Sequence, residues 1–212
     1  MKKVLIVFAA LLVTATTFAQ SERYTKAMTS NLQQFDSANT PEKMLSLSAA
    51  FERIADAEKT QWLPYYYAAL CESFYAFMKN DPPSFDTYAD KTESLLNKAD
   101  ELEKNNSEIS CLKSMVASMR LLVDPQQRWQ TYGTAVTQGI ENAKKQDPAN
   151  PRPYFLEGQN LRYTPEQFGG GCATAAPKLE AALKKYESFK PASALHPDWG
   201  KEQVEQLLAG CK

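Results

Sequence analysis

The side chains with the chemistry to act are few: four cysteines, Cys71, Cys111, Cys172 and Cys211, and one histidine, His196. A thiolate nucleophile needs a base within hydrogen-bond reach, and His196 is the one imidazole that could serve Cys172. That cysteine ends the stretch "YTPEQFGGGC", residues 163–172. A phosphate cradle at Gly169, Gly170 and Gly171 would need a strand before them and Lys-Ser or Lys-Thr after them. A helical segment precedes them instead, and the next lysine is Lys178. The glycines therefore read as a joint between helices, reaching backbone angles closed to other residues. No two cysteines stand at zinc-knuckle spacing, so no metal site and no cofactor is expected. Carboxylates such as Asp100, Glu101 and Glu103, or Glu202 and Glu205, recur at helical spacing and read as solvated faces. Hydrolysis by paired acids would need two of them to converge in a cleft.

The compartment follows from the N-terminal residues. "MKKVLIVFAALLVTATTFAQ" has two lysines, an apolar run from Val4 to Val13, and small residues up to Ala19. This is the pattern of a cleavable secretory signal, too short for a membrane span, with cleavage expected after Ala19. Residues 1–19 are then a signal peptide, residues 20–212 a single domain, and the protein is periplasmic or secreted. Removing Lys2 and Lys3 takes the formal charge from -1 to -3 (-1 minus 2), which gives no footprint for nucleic acid. An even number of cysteines in an oxidising compartment points to two disulfides.

The elements that must position these residues are helices. Alternating strand patterns and hairpin turns are missing, and apolar residues recur at three and four, as in Leu63, Tyr67, Leu70, Phe74 and Phe77. Helices are predicted near 22–37, 41–58, 62–79, 84–103, 107–122, 125–146, 151–163, 173–189 and 198–210, with Pro41, Pro64, Pro125 and Pro153 near their starts. In the last, Asp198 is expected to cap the helix and Trp199 to pack beneath it. Asn105-Asn106-Ser107 fits a glycosylation sequon and reads as a turn. "ADAEKTQWLPYYYAAL" from Ala55, "ADELEKNNSEISCLKS" from Ala99 and "AKKQDPANPRPYFLEG" from Ala143 align at a period of about 44 residues.

"DPANPRPYFLEGQN", with Tyr154 and Gly158, followed by "AAPKLEAALKKYESFKP", with Ala181 and Ala182, resembles a tetratricopeptide repeat. Glu157 in place of leucine, the long period and "PEQFGGG" depart from that pattern. The last 65 residues or so also look like exported tetratricopeptide-like proteins of Gram-negative bacteria. The resemblance implies an all-α, right-handed stack of antiparallel helical hairpins with a C-terminal capping helix. It also implies that first helices line a concave groove, placing Arg152, Phe155, Gln159, Arg162 and Tyr163 there. One period back stand Glu108, Cys111, Met115, Ser118 and Met119, and two periods back Pro64, Tyr67, Cys71, Phe74 and Tyr75.

Consecutive antiparallel helices would bring Cys172 beside Cys211 for a disulfide, and neighbouring hairpins would bring Cys71 near Cys111. The function expected from these features is non-enzymatic: an adaptor holding a protein or peptide partner of the cell envelope. The alternatives are a hydrolase on a helical scaffold, or a small-molecule carrier binding between helices beneath the aromatic cluster from Tyr65 to Phe77.

Overall fold

The computed structural model describes residues 22–211, all of its regular structure helical. The expected signal segment, residues 1–19, lies outside the described residues. Helix α1 covers residues 22–36. After it come α2 (Pro41–Glu58), α3 (Trp62–Lys79), α4 (Phe85–Leu102), α5 (Ser107–Val123), the short α6 (Pro125–Arg128), α7 (Thr134–Gln146), α8 (Arg152–Tyr163), α9 (Cys172–Ser188) and α10 (Lys201–Ala209). One π-helical turn, Trp129–Gly133, divides the predicted 125–146 helix.

Local chemistry sets most of these boundaries. Thr40 accepts a hydrogen bond from the Lys43 amide at the start of α2, and Asn106 accepts two from Glu108 and Ile109 at the start of α5. Such caps satisfy amides that have no partner inside the helix. Lys59 and Asn80 end α2 and α3 in the left-handed conformation, and Asn105, with φ 57°, makes the turn into α5. The sequon is thus a turn and a cap.

Successive helices double back on one another: α2 packs on α3, α3 on α4, α4 on α5, α5 on α7, and α8 on α9. Phe51, Tyr66, Leu70, Leu96, Ile109, Leu112, Met119 and Leu179 form a continuous buried core between them. Gly158 lets α8 approach α9 closely, since a Cβ there would meet the Leu179 side chain at 2.7 Å.

The glycine joint works in two ways. Gly169 and Gly171 have φ of 83° and 87°, while a Cβ on Gly170 would fall 2.0 Å from the Thr164 carbonyl oxygen. The chain thereby turns tightly enough to deliver Cys172 to the start of α9. There it forms the expected disulfide with Cys211, Cα to Cα 5.2 Å.

Two expectations fail. Cys71 and Cys111 are free thiols, buried on α3 and α5. They behave as small apolar core residues, and burial pushes both thiols above their ordinary range, with Glu72 adding to Cys71 and Glu108 to Cys111. Asp198 does not cap the last helix. Gly200, with φ 112°, precedes α10 and no side chain caps it, because a Cβ there would collide with the Tyr186 hydroxyl.

Candidate functional site: an aromatic groove

Helices α3, α5 and α8 present rows of side chains to one concavity of about 1520 Å³. From α3 come Tyr67, Phe74, Phe77 and Met78; from α5, Met115, Ser118, Leu121 and Leu122; from α8, Phe155, Gln159 and Tyr163. These are the three- and four-residue repeats of single helix faces. Leu32 and Phe35 of α1 border the cavity, as do Val136 and Ile140 of α7. Phe35 stacks on Phe74 at 5.9 Å, and Tyr67 lies against Phe51 at 5.2 Å. Apart from the serines and Glu157, Gln159 and Asn160 of α8, the rows are aromatic or aliphatic, so the groove offers broad ring faces with a minority of directional contacts.

Trp199 enters the cavity from the connection before α10. It meets Phe74 edge-on at 5.7 Å and Phe155 at 6.1 Å. Its indole N–H donates to the Tyr66 hydroxyl (2.8 Å), and the Tyr186 hydroxyl donates to its carbonyl (2.9 Å). Sequence reasoning placed Trp199 under a helix and missed its place in the groove. The signal available was an indole inside the otherwise polar "HPDWGKE". Leu32 and Phe35 were missed because the first of the aligned repeat segments begins at Ala55, after α1.

Beneath the groove lies a buried ion pair. Arg152 has no exposed surface; its guanidinium donates to both oxygens of Glu108, at 2.6 and 2.5 Å. Asn150 and the Tyr66 hydroxyl donate to the same carboxylate at 2.8 and 3.2 Å. The cation also lies 4.6 Å from the Phe189 ring centroid and 5.8 Å from that of Trp199. Burial works against its charge, but Glu108 more than offsets this and holds the Arg152 pKa above the ordinary arginine value. Glu108 and Arg152 stand 44 residues apart, so repeat-equivalent positions face each other and not a partner. Burial, then Glu108, likewise raises the Tyr66 and Tyr67 phenols, which stay neutral.

The predicted site residues therefore divide. Tyr67, Phe74, Phe155, Gln159 and Tyr163 line the groove. Arg162 is half-buried and is not among the lining residues, and Tyr163 is 72% exposed. Arg152 is core, contrary to the expected exposed face, because its charge is matched inside the protein. Tyr75 is turned away from the cavity and packs edge-on against Tyr88 at 5.0 Å. His196 borders the groove with Nδ1 2.8 Å from the Ser193 hydroxyl, and Cys172, the nucleophile it might have served, is oxidised. Among the described residues, no three His, Cys, Asp or Glu side chains are grouped to hold a metal. No helix among them is long and apolar enough to cross a membrane.

No family model and no curated protein matches the chain. A solved structure does: the HusA haemophore from Porphyromonas gingivalis, at 43% identity over 89% of this chain and 92% of that one, with a TM-score of 0.79. The likeness overturns the expected adaptor for a protein or peptide partner, which rested on the helical-repeat resemblance alone; the expectation of a non-enzymatic protein agrees with it. At this identity and coverage, and with the same all-helical architecture, the chain belongs to the family of the HusA haemophore.

Proposed function

We propose that the protein is a carrier for haem or a closely related flat macrocycle, held in the groove between helices. The single observation that supports this most is the conjunction of the aromatic and aliphatic groove with close similarity to a haemophore. A planar aromatic ligand gains from ring faces and apolar area more than from directional bonds. Tyr67, Phe74, Phe155 and Trp199 provide the faces, while Ser114, Ser118, Gln159 and Asn160 are among the polar groups of the lining. In this reading the 44-residue period marks a tetratricopeptide-like right-handed stack adapted to small-molecule cargo, residues 20–212 form one domain, and the chain is exported after cleavage following Ala19.

The test is titration of the mature protein with iron protoporphyrin IX, followed by the Soret band and by tryptophan emission. A shifted, saturable Soret band is expected, with the quenching of tryptophan emission reduced in Trp199→Phe to what Trp62 and Trp129 contribute. Met115→Lys, which puts a charge on the groove floor, should weaken binding at least tenfold, about 1.4 kcal/mol. Saturable binding unaffected by Met115→Lys would place the cargo elsewhere, and no binding would refute the carrier reading.

A further inference from the structure

Trp199 is tied to itself through the floor of the groove. Its indole N–H donates to the Tyr66 hydroxyl, and that hydroxyl donates in turn to Glu108. Glu108 accepts from Nε and one amino group of Arg152, whose other amino group donates to the Trp199 carbonyl at 3.4 Å. The hydrogen bonds thus run from the Trp199 side chain through α3, α5 and α8 and back to the Trp199 backbone. Those are the same three helices that supply the rows of the groove. Tyr66, Glu108 and Arg152 are themselves absent from its lining, and Tyr66 and Arg152 have no exposed surface. Whatever they do to cargo in the groove they do through the indole, which is in the lining and 8% exposed. Charge balance does not require the link through Tyr66, because Glu108 and Arg152 already pair with each other. The indole does require it. Without that acceptor a buried N–H would be stranded, and the ring would have to turn to find another partner. Turning changes the angles of 89° and 74° at which it meets Phe74 and Phe155, and with them the shape of the wall.

Resting on the carrier reading, we propose that Tyr66, Glu108 and Arg152 are positioning residues for the cargo: they hold the Trp199 indole against Phe74 and Phe155 in the one orientation on which a flat macrocycle packs, and so set affinity from beneath the groove without touching what it binds. The Tyr66 hydroxyl is the joint of this device. It accepts from the indole and donates to the carboxylate at once, which a neutral phenol can do and a phenylalanine cannot.

The experiment sets Tyr66→Phe beside Leu96→Val, a truncation in the core on α4 at a residue that does not line the groove. Two quantities are read at a temperature where wild-type protein and both variants are fully folded. One is the indole N–H resonance of Trp199 in a proton–nitrogen correlation spectrum without cargo, identified by its loss in Trp199→Phe. The other is the affinity for iron protoporphyrin IX from Soret titration. Tyr66→Phe should move the indole resonance upfield and weaken binding about five- to tenfold, the loss of one buried hydrogen bond. Leu96→Val should leave the resonance in place and the affinity within about twofold. An unmoved resonance in Tyr66→Phe, a moved resonance with affinity within twofold of wild type, or equal weakening in Leu96→Val overturns the proposal while leaving the carrier reading intact. Failure of wild-type protein to bind the porphyrin overturns both.

Discussion

Replacing Glu108 by Gln should cost more than replacing Glu108 and Arg152 together. In wild-type protein the carboxylate receives four hydrogen bonds, two from Arg152 and one each from Asn150 and Tyr66. The neutral amide keeps the shape and one acceptor oxygen, but it removes the countercharge and turns an NH2 toward the donors, leaving the fully buried guanidinium with neutral partners only, the Trp199 carbonyl at 3.4 Å and two aromatic faces among them. Stranding one member of a buried pair typically costs about 3–5 kcal/mol. At roughly 2–4 °C per kcal/mol for a domain of this size, the melting temperature should fall by about 10 °C. The double variant Glu108→Leu/Arg152→Met removes both charges and leaves only the Asn150 and Tyr66 donors short of an acceptor, at about 1 kcal/mol each. Urea denaturation of Glu108→Leu, Arg152→Met and the double variant, analysed as a mutant cycle, measures the coupling directly. Additive losses, with no coupling above about 0.5 kcal/mol, would refute the view that these two charges act as one buried unit.

Opening the disulfide, by Cys172→Ser/Cys211→Ser or by reductant, releases a loop of sequence separation 39; the chain-entropy estimate is about 4 kcal/mol, read as the same fall in melting temperature by either route. Gly170→Ala should destabilise more than Gly169→Ala, which should lose about 1 kcal/mol, because the first meets the Thr164 carbonyl and the second has only its positive φ to accommodate; equal losses would refute that distinction. Glu72 is buried, which raises its carboxyl pKa against the opposing Ser48 hydrogen bond and Lys91 charge. Its stabilising contribution is therefore fully present below the ordinary value of 4.5 and lost as pH rises through the raised folded-state pKa. Glu72→Gln should gain on wild-type protein across that window, and a stability difference independent of pH would count against it.

Helix positions were legible because the apolar spacing of three and four is unbroken and prolines and asparagines punctuate it. The ranges 41–58 and 62–79 coincide with the helices found. The break inside 125–146 was not legible, since nothing in Trp129-Gln-Thr-Tyr-Gly133 marks a π turn locally. Of the groove, the rows on α3 and α8 could be read from the repeat, but which member of each row is core depends on what packs across from it. Arg152 shows this: the period placed it one repeat from Glu108, and the opposite charges at equivalent positions were the hint that they would meet. Cys71 and Cys111 failed for the complementary reason. Counting cysteines gives a parity, while pairing needs both sulfurs on facing surfaces, and only Cys172 and Cys211 have the helix ends to provide that.

The Cys172–Cys211 bond encloses the stretch that contains His196, Asp198, Trp199 and Gly200. Trp199 is thus fastened to the helical scaffold twice: inside the groove by Tyr66, 133 residues earlier in the chain, and outside it by a covalent loop anchored on α9. In chain order, α3 and α8 both precede the indole that completes their shared floor. In a reducing environment that final wall is held by packing and by the hydrogen bonds to Tyr66 and Tyr186, without the covalent loop. In the proposed carrier, readiness to take up cargo would in this way be tied to whether its surroundings keep the disulfide closed.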